Sequence, residues 1–293
     1  MKSDQLERVR TGAGFIAALD QSGGSTPGAL EKYGIGRDQY SGDAEMFLKM
    51  HEMRSRIIAS PSFSGQDIIG AILFRDTMER EIHGVPTVDY LWQKNIVTFL
   101  KVDEGLAEEA DGVQVMKTIA ALDEQLAAAN AKGAFGTKMR SVIKLANPAG
   151  IRAVAEQQYE IGAIILDAGI VPILEPEVDI HSPEKAQAEE LLRADLLDLL
   201  PGYGDRKVMI KVSLPSVDDF YAELIAHPNV LRVVALSGGY DRDTANELLS
   251  RNHGMIASFS RALADGLNAN QSDEDFDAVL AETVTSISAA SAT

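Results

Sequence analysis

A lysine stands in the middle of a short apolar stretch near residue 210. Lys211 lies in KVMIKVS (207–213), between Ile210 and Val212. Such a run is typical of a strand that is covered on both faces, and burial there disfavours the charged ammonium form. The neutral amine is the form that attacks a carbonyl carbon. The sequence therefore makes Lys211 a candidate for covalent catalysis through an imine, and a lysine that only pairs with a glutamate is the alternative.

Two glutamates occupy alternate positions of another apolar run, VPILEPE (171–177). Because side chains two residues apart on a strand share one face, Glu175 and Glu177 can both face the interior. Two close carboxylates hinder each other's ionisation, so one of them can donate and accept protons. We therefore expect an acid/base role here. Ion pairing with nearby lysines is the alternative, and it does not exclude that role.

Short apolar runs recur along the chain with helix-like segments between them. The runs are 14–20, 68–74, 97–103, 139–145, 171–177, 207–213, 230–237 and 255–261. The helix-like segments that follow a start signal are 149–160, 184–200, 217–226 and 243–251. Alternation of this kind is typical of a parallel sheet covered by helices.

Eight such repeats predict an α/β protein, a single (β/α)8 TIM barrel over residues 1–293. The interval 21–67 is long enough for an extra helical segment near the N-terminus, and the helix after the third run is predicted to be extended, over 105–131. A doubly wound open sheet is the competing fold, because the order of strands cannot be read from the sequence.

Polar residues stand in or just after nearly every apolar run. They are Asp20, Arg75, Lys101, Asp103, Lys144, Glu175, Glu177, Lys211, Ser213, Ser237, Ser258 and Arg261. Catalytic residues of (β/α)8 barrels come from the C-terminal ends of the strands, so we expect these side chains to converge. Buried ion pairs that only hold the barrel together are the alternative.

Two small loops have the composition of phosphate sites. Ser237, Gly238 and Gly239 follow the seventh run, and Ser258 to Arg261 ends the eighth. The loops after these two strands frequently bind phosphate in barrels, through glycine amides and an arginine fork. The loop from Ser22 to Ser25 is also rich in donors and would suit a phosphate or a lid.

Composition restricts the class of partner. The net charge is −17 and the isoelectric point is about 4.7, so nucleic acid and anionic membranes are poor partners. The chain has no cysteine, and its five histidines show no spacing of metal ligands, so we expect no metal site. The N-terminus lacks the apolar core of a signal peptide, and no apolar run could span a membrane, so we expect a cytoplasmic protein.

Seven motifs resemble the class I fructose-bisphosphate aldolases in their shorter bacterial form. They are ALDQSGGS, FLKVDEGL, GTKMRSVIK, VPILEPEV, VMIKVSLP, ALSGG and ASFSRAL, which run from about residue 14 to residue 265 in the order and spacing of that family. The resemblance implies reversible cleavage of fructose 1,6-bisphosphate into dihydroxyacetone phosphate and glyceraldehyde 3-phosphate, with no cofactor. It also implies a phosphorylated sugar as substrate and allows a homo-oligomer.

The resemblance also implies roles for individual residues. Lys211 is similar to the Schiff-base lysine, Glu175 to the group that dehydrates the carbinolamine, Glu177 to its partner, and Asp20 to the group that acts at the hydroxyl of the cleavage step. The implied substrate and phosphate ligands are Lys101, Lys138, Arg140, Ser237, Gly238, Gly239, Ser258, Arg261, Ser22 and Ser25.

The sequence departs from the pattern of the animal enzymes at two points. Those enzymes end in a tyrosine that assists enamine protonation, whereas the last tyrosine here is Tyr240, and Ser260 stands where their second phosphate loop has glycine. Lys138 also falls before the predicted start of the fourth strand. The remaining alternatives are another Schiff-base sugar-phosphate aldolase or transaldolase, and a sugar-phosphate binding protein without activity.

Overall fold

The computed structural model describes residues 3–293, and its main strands form one closed parallel sheet. The strands are β1 Phe15–Leu19, β2 Ile68–Leu73, β3 Val97–Lys101, β4 Gly136–Ile143, β5 Val171–Val178, β6 Val208–Ser213, β7 Val230–Leu236 and β8 Ile256–Ala257. Each strand pairs with the next one in chain order. The N–H of Ala18 donates to the carbonyl of Phe259 at 3.2 Å, which joins the last strand to the first. The predicted (β/α)8 barrel is therefore confirmed, and the order never reverses as an open doubly wound sheet requires.

Helices surround this barrel. They are α1 Ser3–Thr11, α2 Thr26–Lys32, α3 Gly42–Ala59, α4 Arg75–Glu79, α5 Thr87–Gln93, α6 Leu122–Lys132, α7 Pro148–Asp167, α8 Lys185–Leu199, α9 Ala222–Ile225, α10 Arg242–Ser250, α11 Arg261–Ala264 and α12 Asp273–Ala290. Short 3-10 turns lie at Gly23–Ser25, Arg37–Gln39 and Leu200–Tyr203. The extra helical segment predicted before β2 is present as α2 and α3.

A side chain caps the N-terminus of two of the predicted helices. The side chain of Asn147 accepts hydrogen bonds from the N–H groups of Ala149 and Gly150 at the start of α7. The side chain of Asp241 accepts one from the N–H of Thr244 at the start of α10. These contacts satisfy backbone donors that a helix leaves free in its first turn, so each helix begins where the sequence signal stands.

The long helix predicted over 105–131 is wrong. Only Leu122–Lys132 is helical, and the preceding segment folds back on itself, with Val113–Gln114 pairing antiparallel to β4. Gly105 and Gly112 have φ angles of 96° and 71° there. Such angles are left-handed and incompatible with a continuing helix. The helix predicted over 217–226 likewise shortens to α9, after Asp219 at a φ angle of 57°.

Two strand boundaries also differ from the prediction. The fourth strand begins at Gly136 instead of residue 139, so Lys138 lies inside β4, opposite Lys101 at the end of β3. The prediction that Lys138 precedes its strand is therefore wrong. The eighth strand is only Ile256–Ala257 instead of 255–261.

Apolar side chains fill the N-terminal half of the barrel interior. Arg8 of α1 donates to the carbonyl of Gly65 at 2.5 Å and to that of Ile68 at 3.1 Å, and Val9 of the same helix is buried. The buried cluster that Val9 joins contains Ile16, Ala18, Ile69, Ile72, Val97, Phe99, Phe135, Val171, Ile173, Met209, Val234 and Ile256. Because α1 and this cluster close one end of the barrel, polar chemistry is confined to the opposite end.

Gly136 provides a test of how closely β4 and β5 approach. A Cβ atom at Gly136 would lie 2.1 Å from the carbonyl oxygen of Val171 and 2.9 Å from a ring carbon of Phe99. We expect Gly136→Ala to lower the free energy of unfolding by at least about 2 kcal/mol, because backbone atoms must move.

The matched control is Gly28→Ala in α2, where no heavy atom lies within 4 Å of the added methyl group. That variant should stay within about 1 kcal/mol of the wild type in urea unfolding. Equal stability of the two variants would contradict the close approach of β4 and β5.

Candidate active site

A cavity of 1090 Å³ opens at the C-terminal ends of the barrel strands. All of the residues predicted for the site line it. They are Asp20, Ser22, Ser25, Lys101, Lys138, Arg140, Glu175, Glu177, Lys211, Ser237, Gly238, Gly239, Ser258 and Arg261. Strands β1 and β3 to β8 or the loops after them supply these groups, as the strand-end argument predicts.

Glu175 lies between two buried lysines. Its Oε1 is 3.2 Å from Nζ of Lys211, and its Oε2 is 2.5 Å from Nζ of Lys138. The register between β5 and β6 pairs Leu174 with Ile210, so the next residue of each strand comes to the same level. Because all three residues are at most 4% exposed, the carboxylate meets the ammonium groups with little screening by water.

Lys138 has a second carboxylate partner in Asp20. Its Nζ donates to Oδ2 of Asp20 at 2.8 Å. Burial by itself would lower the pKa of Lys138, but Asp20 and then Glu175 outweigh it and raise that pKa well above its ordinary value. Burial would raise the pKa of Asp20, but Lys138 and then Lys211 hold it well below its ordinary value. Both groups therefore stay charged at neutral pH.

Arg140 and Glu177 form a separate pair nearer the mouth of the cavity. Nε of Arg140 lies 2.5 Å from Oε2 of Glu177. Burial would lower the pKa of Arg140, but its hydrogen bond to Glu177 raises that pKa above the ordinary value. Each glutamate of β5 thus contacts a cation. The ion pairing that was the alternative interpretation of these two glutamates is therefore present, and it does not exclude an acid/base role.

The remaining predicted cations divide between the cavity and the outer surface. Nζ of Lys101 contacts Oδ1 of Asp103 at 2.7 Å at the end of β3. Two other cations at strand ends do not reach the cavity. Arg75 pairs with Glu79 and Glu124, and Lys144 pairs with Glu109. The expectation that Arg75 and Lys144 converge with the other polar residues at the strand ends is therefore wrong.

The loops after β7 and β8 come together at one side of the cavity. Gly238 and Gly239 have φ angles of 63° and 133°, which favour glycine. A Cβ atom on Gly239 would lie 3.4 Å from a guanidinium nitrogen of Arg261. Oγ of Ser258 is buried there and has no hydrogen-bond partner among residues 3–293. Donors and free backbone amides of this kind suit an anion.

The loop after β1 lies at another side of the same cavity. Oγ of Ser25 donates to the carbonyl of Ser22 at 3.0 Å and accepts from the N–H of Ser22 at 3.1 Å. The two serines therefore hold the loop in a tight turn beside Asp20. A lining cation from α2, Lys32, stands near the end of that helix.

Sequence reasoning missed several residues that line the cavity. They are Gln21, Lys32, Tyr240 and Arg242. Gln21 immediately follows Asp20, and this position is the sequence signal that could have identified it as a cavity residue. The others lie on helices or after a loop, where the ends of strands give no guidance.

The C-terminal end of the chain is held away from the cavity mouth. The carbonyl of Thr293 accepts a hydrogen bond from the N–H of Gly254, just before β8 begins. The last residues therefore lie at the end of the barrel that α1 closes.

Residues 3–293 contain no cluster of three or more histidine, aspartate or glutamate side chains placed to hold a metal ion. No helix in this range has both the length and the apolar character needed to cross a membrane.

Comparisons with known proteins agree on one family. The family described as fructose-bisphosphate aldolase class-I matches residues 8–193. The chain is 58% identical over 292 residues to the fructose-bisphosphate aldolase class 1 of Synechocystis sp., covering 99% of this chain and 97% of that one. It is 56% identical to the fructose-bisphosphate aldolase class 1 of Porphyromonas gingivalis, covering 99% of both chains.

A solved structure supports the fold. The fructose-bisphosphate aldolase of Plasmodium falciparum superposes with a TM-score of 0.75 at 20% identity, covering 99% of this chain and 96% of that chain. At this identity the likeness concerns the fold alone, which is the barrel described above.

The ion pair of Asp20 with Lys138 predicts how stability depends on pH. A carboxylate whose pKa is lower in the folded state contributes stability that is complete above the unfolded value of about 4. That contribution is lost as the pH falls toward the folded value. The free energy of unfolding of Asp20→Asn should therefore be roughly 3 kcal/mol lower than that of the wild type near neutral pH. The difference should be smaller at about pH 3.

Urea unfolding at a series of pH values measures this difference. The matched control is Asp218→Asn, which replaces an exposed aspartate and should follow the wild-type curve. A difference between Asp20→Asn and wild type that stays constant with pH would show that Asp20 is not held ionised by its neighbours.

Proposed function

The chain belongs to the class I fructose-bisphosphate aldolase family, and we propose that Lys211 is the residue that forms the Schiff base. The protein is a class I aldolase, a lyase that cleaves fructose 1,6-bisphosphate reversibly to dihydroxyacetone phosphate and glyceraldehyde 3-phosphate. The observation that carries the assignment of Lys211 is its contact of 3.2 Å with Glu175, whose other oxygen faces Lys138.

The proposed first step is a proton transfer inside this cluster. Lys138 lies between two carboxylates, whereas Lys211 pairs, within residues 3–293, with Glu175 alone. Transfer of a proton from Lys211 to Glu175 leaves a neutral amine beside a neutral acid, and the ion pair of Asp20 with Lys138 remains intact. The net charge of the buried cluster does not change, so the transfer avoids the cost of an isolated buried charge.

The neutral amine of Lys211 then attacks the C2 carbonyl of the open-chain ketose. Glu175 now carries the proton that the hydroxyl of the carbinolamine needs in order to leave as water, which gives the iminium. One group thereby prepares the nucleophile and the acid for the next step.

Asp20 is proposed as the base for cleavage. Its carboxylate stays ionised because Lys138 and Lys211 outweigh the effect of burial on its pKa. It removes the proton of the C4 hydroxyl while the bond from C3 to C4 breaks, and the iminium accepts the electron pair. Glyceraldehyde 3-phosphate leaves. The enamine is then protonated, and hydrolysis releases dihydroxyacetone phosphate from Lys211.

The two donor-rich sides of the cavity are proposed to hold the two phosphates. Ser237, Gly238, Gly239, Ser258 and Arg261 lie after β7 and β8, the two strands that follow the Lys211 strand in the sheet. This side suits the phosphate on C1, which neighbours the reacting ketone.

The far phosphate, on C6, would meet Ser22 and Ser25 after β1 and Lys101 at the end of β3, which line the same cavity. Arg140 with its partner Glu177 would orient the hydroxyl groups between the two phosphates. Three expectations stay predictions: one domain, a possible homo-oligomer, and a cytoplasmic location.

Replacement of Lys211 tests the proposal. Lys211→Met keeps an apolar stem of similar length and removes the nucleophile, so kcat should fall by at least about 10³-fold. The matched control is Lys144→Met, which removes a lysine after β4 that pairs with Glu109 outside the cavity, and its kcat should stay within about twofold of the wild type.

Borohydride gives a second readout of the same variants. Treatment in the presence of dihydroxyacetone phosphate should inactivate the wild type and Lys144→Met, since it reduces the imine, and treatment without the ketone should not. A Lys211→Met protein that retains activity, with that activity abolished by a chelator, would overturn the covalent mechanism.

A further inference from the structure

The seam between β8 and β1 is where the barrel closes. β8 is only Ile256–Ala257, the shortest barrel strand. A backbone hydrogen bond from Ala18 to Phe259 crosses the seam. Just beyond it, Nε2 of Gln21 donates to Oγ of Ser260 at 2.8 Å. This side-chain contact joins residues 239 positions apart in sequence.

A buried arginine holds Gln21 from the opposite side. Arg54 of α3 is 1% exposed and donates to Oγ1 of Thr77 at 2.8 Å. Its guanidinium also donates to the backbone carbonyl of Gln21 and, at 3.4 Å, to the side-chain oxygen Oε1 of Gln21. Because Oε1 accepts from Arg54, the amide nitrogen Nε2 is directed toward Ser260.

Arg54 remains a cation in this setting. Burial lowers its pKa to about 10, against the weaker opposing effect of Asp20 and Asp76. A buried cation is costly unless its hydrogen bonds are made, and two of those that Arg54 makes go to Gln21. The position of Gln21 is therefore closely determined.

The two residues of the seam contact stand beside different loops. Gln21 directly precedes the turn from Ser22 to Ser25, and Ser260 directly precedes Arg261. Any movement of one loop relative to the other must stretch or break the hydrogen bond from Gln21 to Ser260.

We propose that the hydrogen bond between Gln21 and Ser260, oriented by Arg54, determines specificity for a ketose phosphorylated at both ends. The inference rests on the proposed function, which gives each loop one phosphate. The six-carbon chain of an open-chain bisphosphate limits how far apart its two anions can lie. The loops must stand within that range before the substrate binds, or binding energy is lost in ordering them.

A ketose phosphate with one phosphate places no such demand on the loops. Fructose 1-phosphate would use the Arg261 side alone, so the position of the Ser22–Ser25 turn matters little to it. Loss of the contact should therefore change the ratio of the two kcat/KM values, which a general loss of activity would leave unchanged.

The test compares Gln21→Ala and Ser260→Ala with wild type on fructose 1,6-bisphosphate and fructose 1-phosphate. We expect kcat/KM for the bisphosphate to fall by about fivefold to tenfold, chiefly through KM, and kcat/KM for the monophosphate to change by less than about twofold. Because both changes remove the same contact, the double variant should resemble the single variants. Ser260→Thr keeps the hydroxyl and should restore most of the preference for the bisphosphate.

Matched controls are Gln66→Ala and Ser250→Ala, which change an exposed glutamine and an exposed serine elsewhere. Both should behave as wild type. Equal losses on the two substrates, unchanged preference in the alanine variants, or additive losses in the double variant would each overturn the inference.

Trapping with borohydride and dihydroxyacetone phosphate separates this outcome from failure of the proposed function. The seam variants should still form the adduct on Lys211 as fully as the wild type does. Absence of the adduct from the wild type itself would contradict the proposed mechanism, whatever the substrate preference of the variants.

Discussion

The carboxylate of Glu175 lies between Lys211 and Lys138, and the two lysines differ in what else surrounds them. Asp20 supplies Lys138 with a second negative neighbour, which stabilises its charge. Lys211 contacts Glu175 alone among the carboxylates of the described ion pairs. Equally buried lysines are thereby made chemically different. Transfer of a proton from Lys138 to Glu175 would break the ion pair of Lys138 with Asp20, whereas transfer from Lys211 leaves that pair intact.

The barrel interior is divided into an apolar half and a polar half, and the charged cluster lies in the polar half. The apolar cluster that contains Ile16, Phe99 and Ile173 fills the half next to α1 and excludes water there. The parallel register brings the polar residues of neighbouring strands to one level in the other half, as it does for Lys101 and Lys138. The loops that follow the strands then surround the substrate, so rigid strands hold the reacting groups and adaptable loops hold the phosphates.

Much of this arrangement could be predicted from residue patterns. The eight apolar runs have the order of the eight strands, and most of the polar residues at their ends line one cavity. The ends of elements were harder to predict. Residues 105–121 resemble a helix in composition, but the left-handed turns at Gly105 and Gly112 interrupt it. Lys144 stands one residue past β4, where its direction depends on the point at which the strand ends, and it turns toward Glu109.

Contacts that depend on closure could not be predicted. Gln21 and Ser260 meet because β8 returns to β1, and the sequence contains no pairing signal for residues so far apart. The contact of Arg54 with Gln21 could not be predicted either. In the sequence Arg54 is one cation among others on an amphipathic helix, and only the packing of α3 against the barrel places it beside Gln21. Distances across the seam follow from the whole barrel and from no local pattern.

The most direct test of the account is to identify which buried lysine carries the substrate. The wild-type protein is reduced with borohydride in the presence of dihydroxyacetone phosphate, digested, and its peptides are sequenced by mass spectrometry. The account predicts an adduct on the nitrogen of Lys211 and an unmodified Lys138. An adduct on Lys138 would contradict it, because the lysine held by two carboxylates would then be the one that loses its proton.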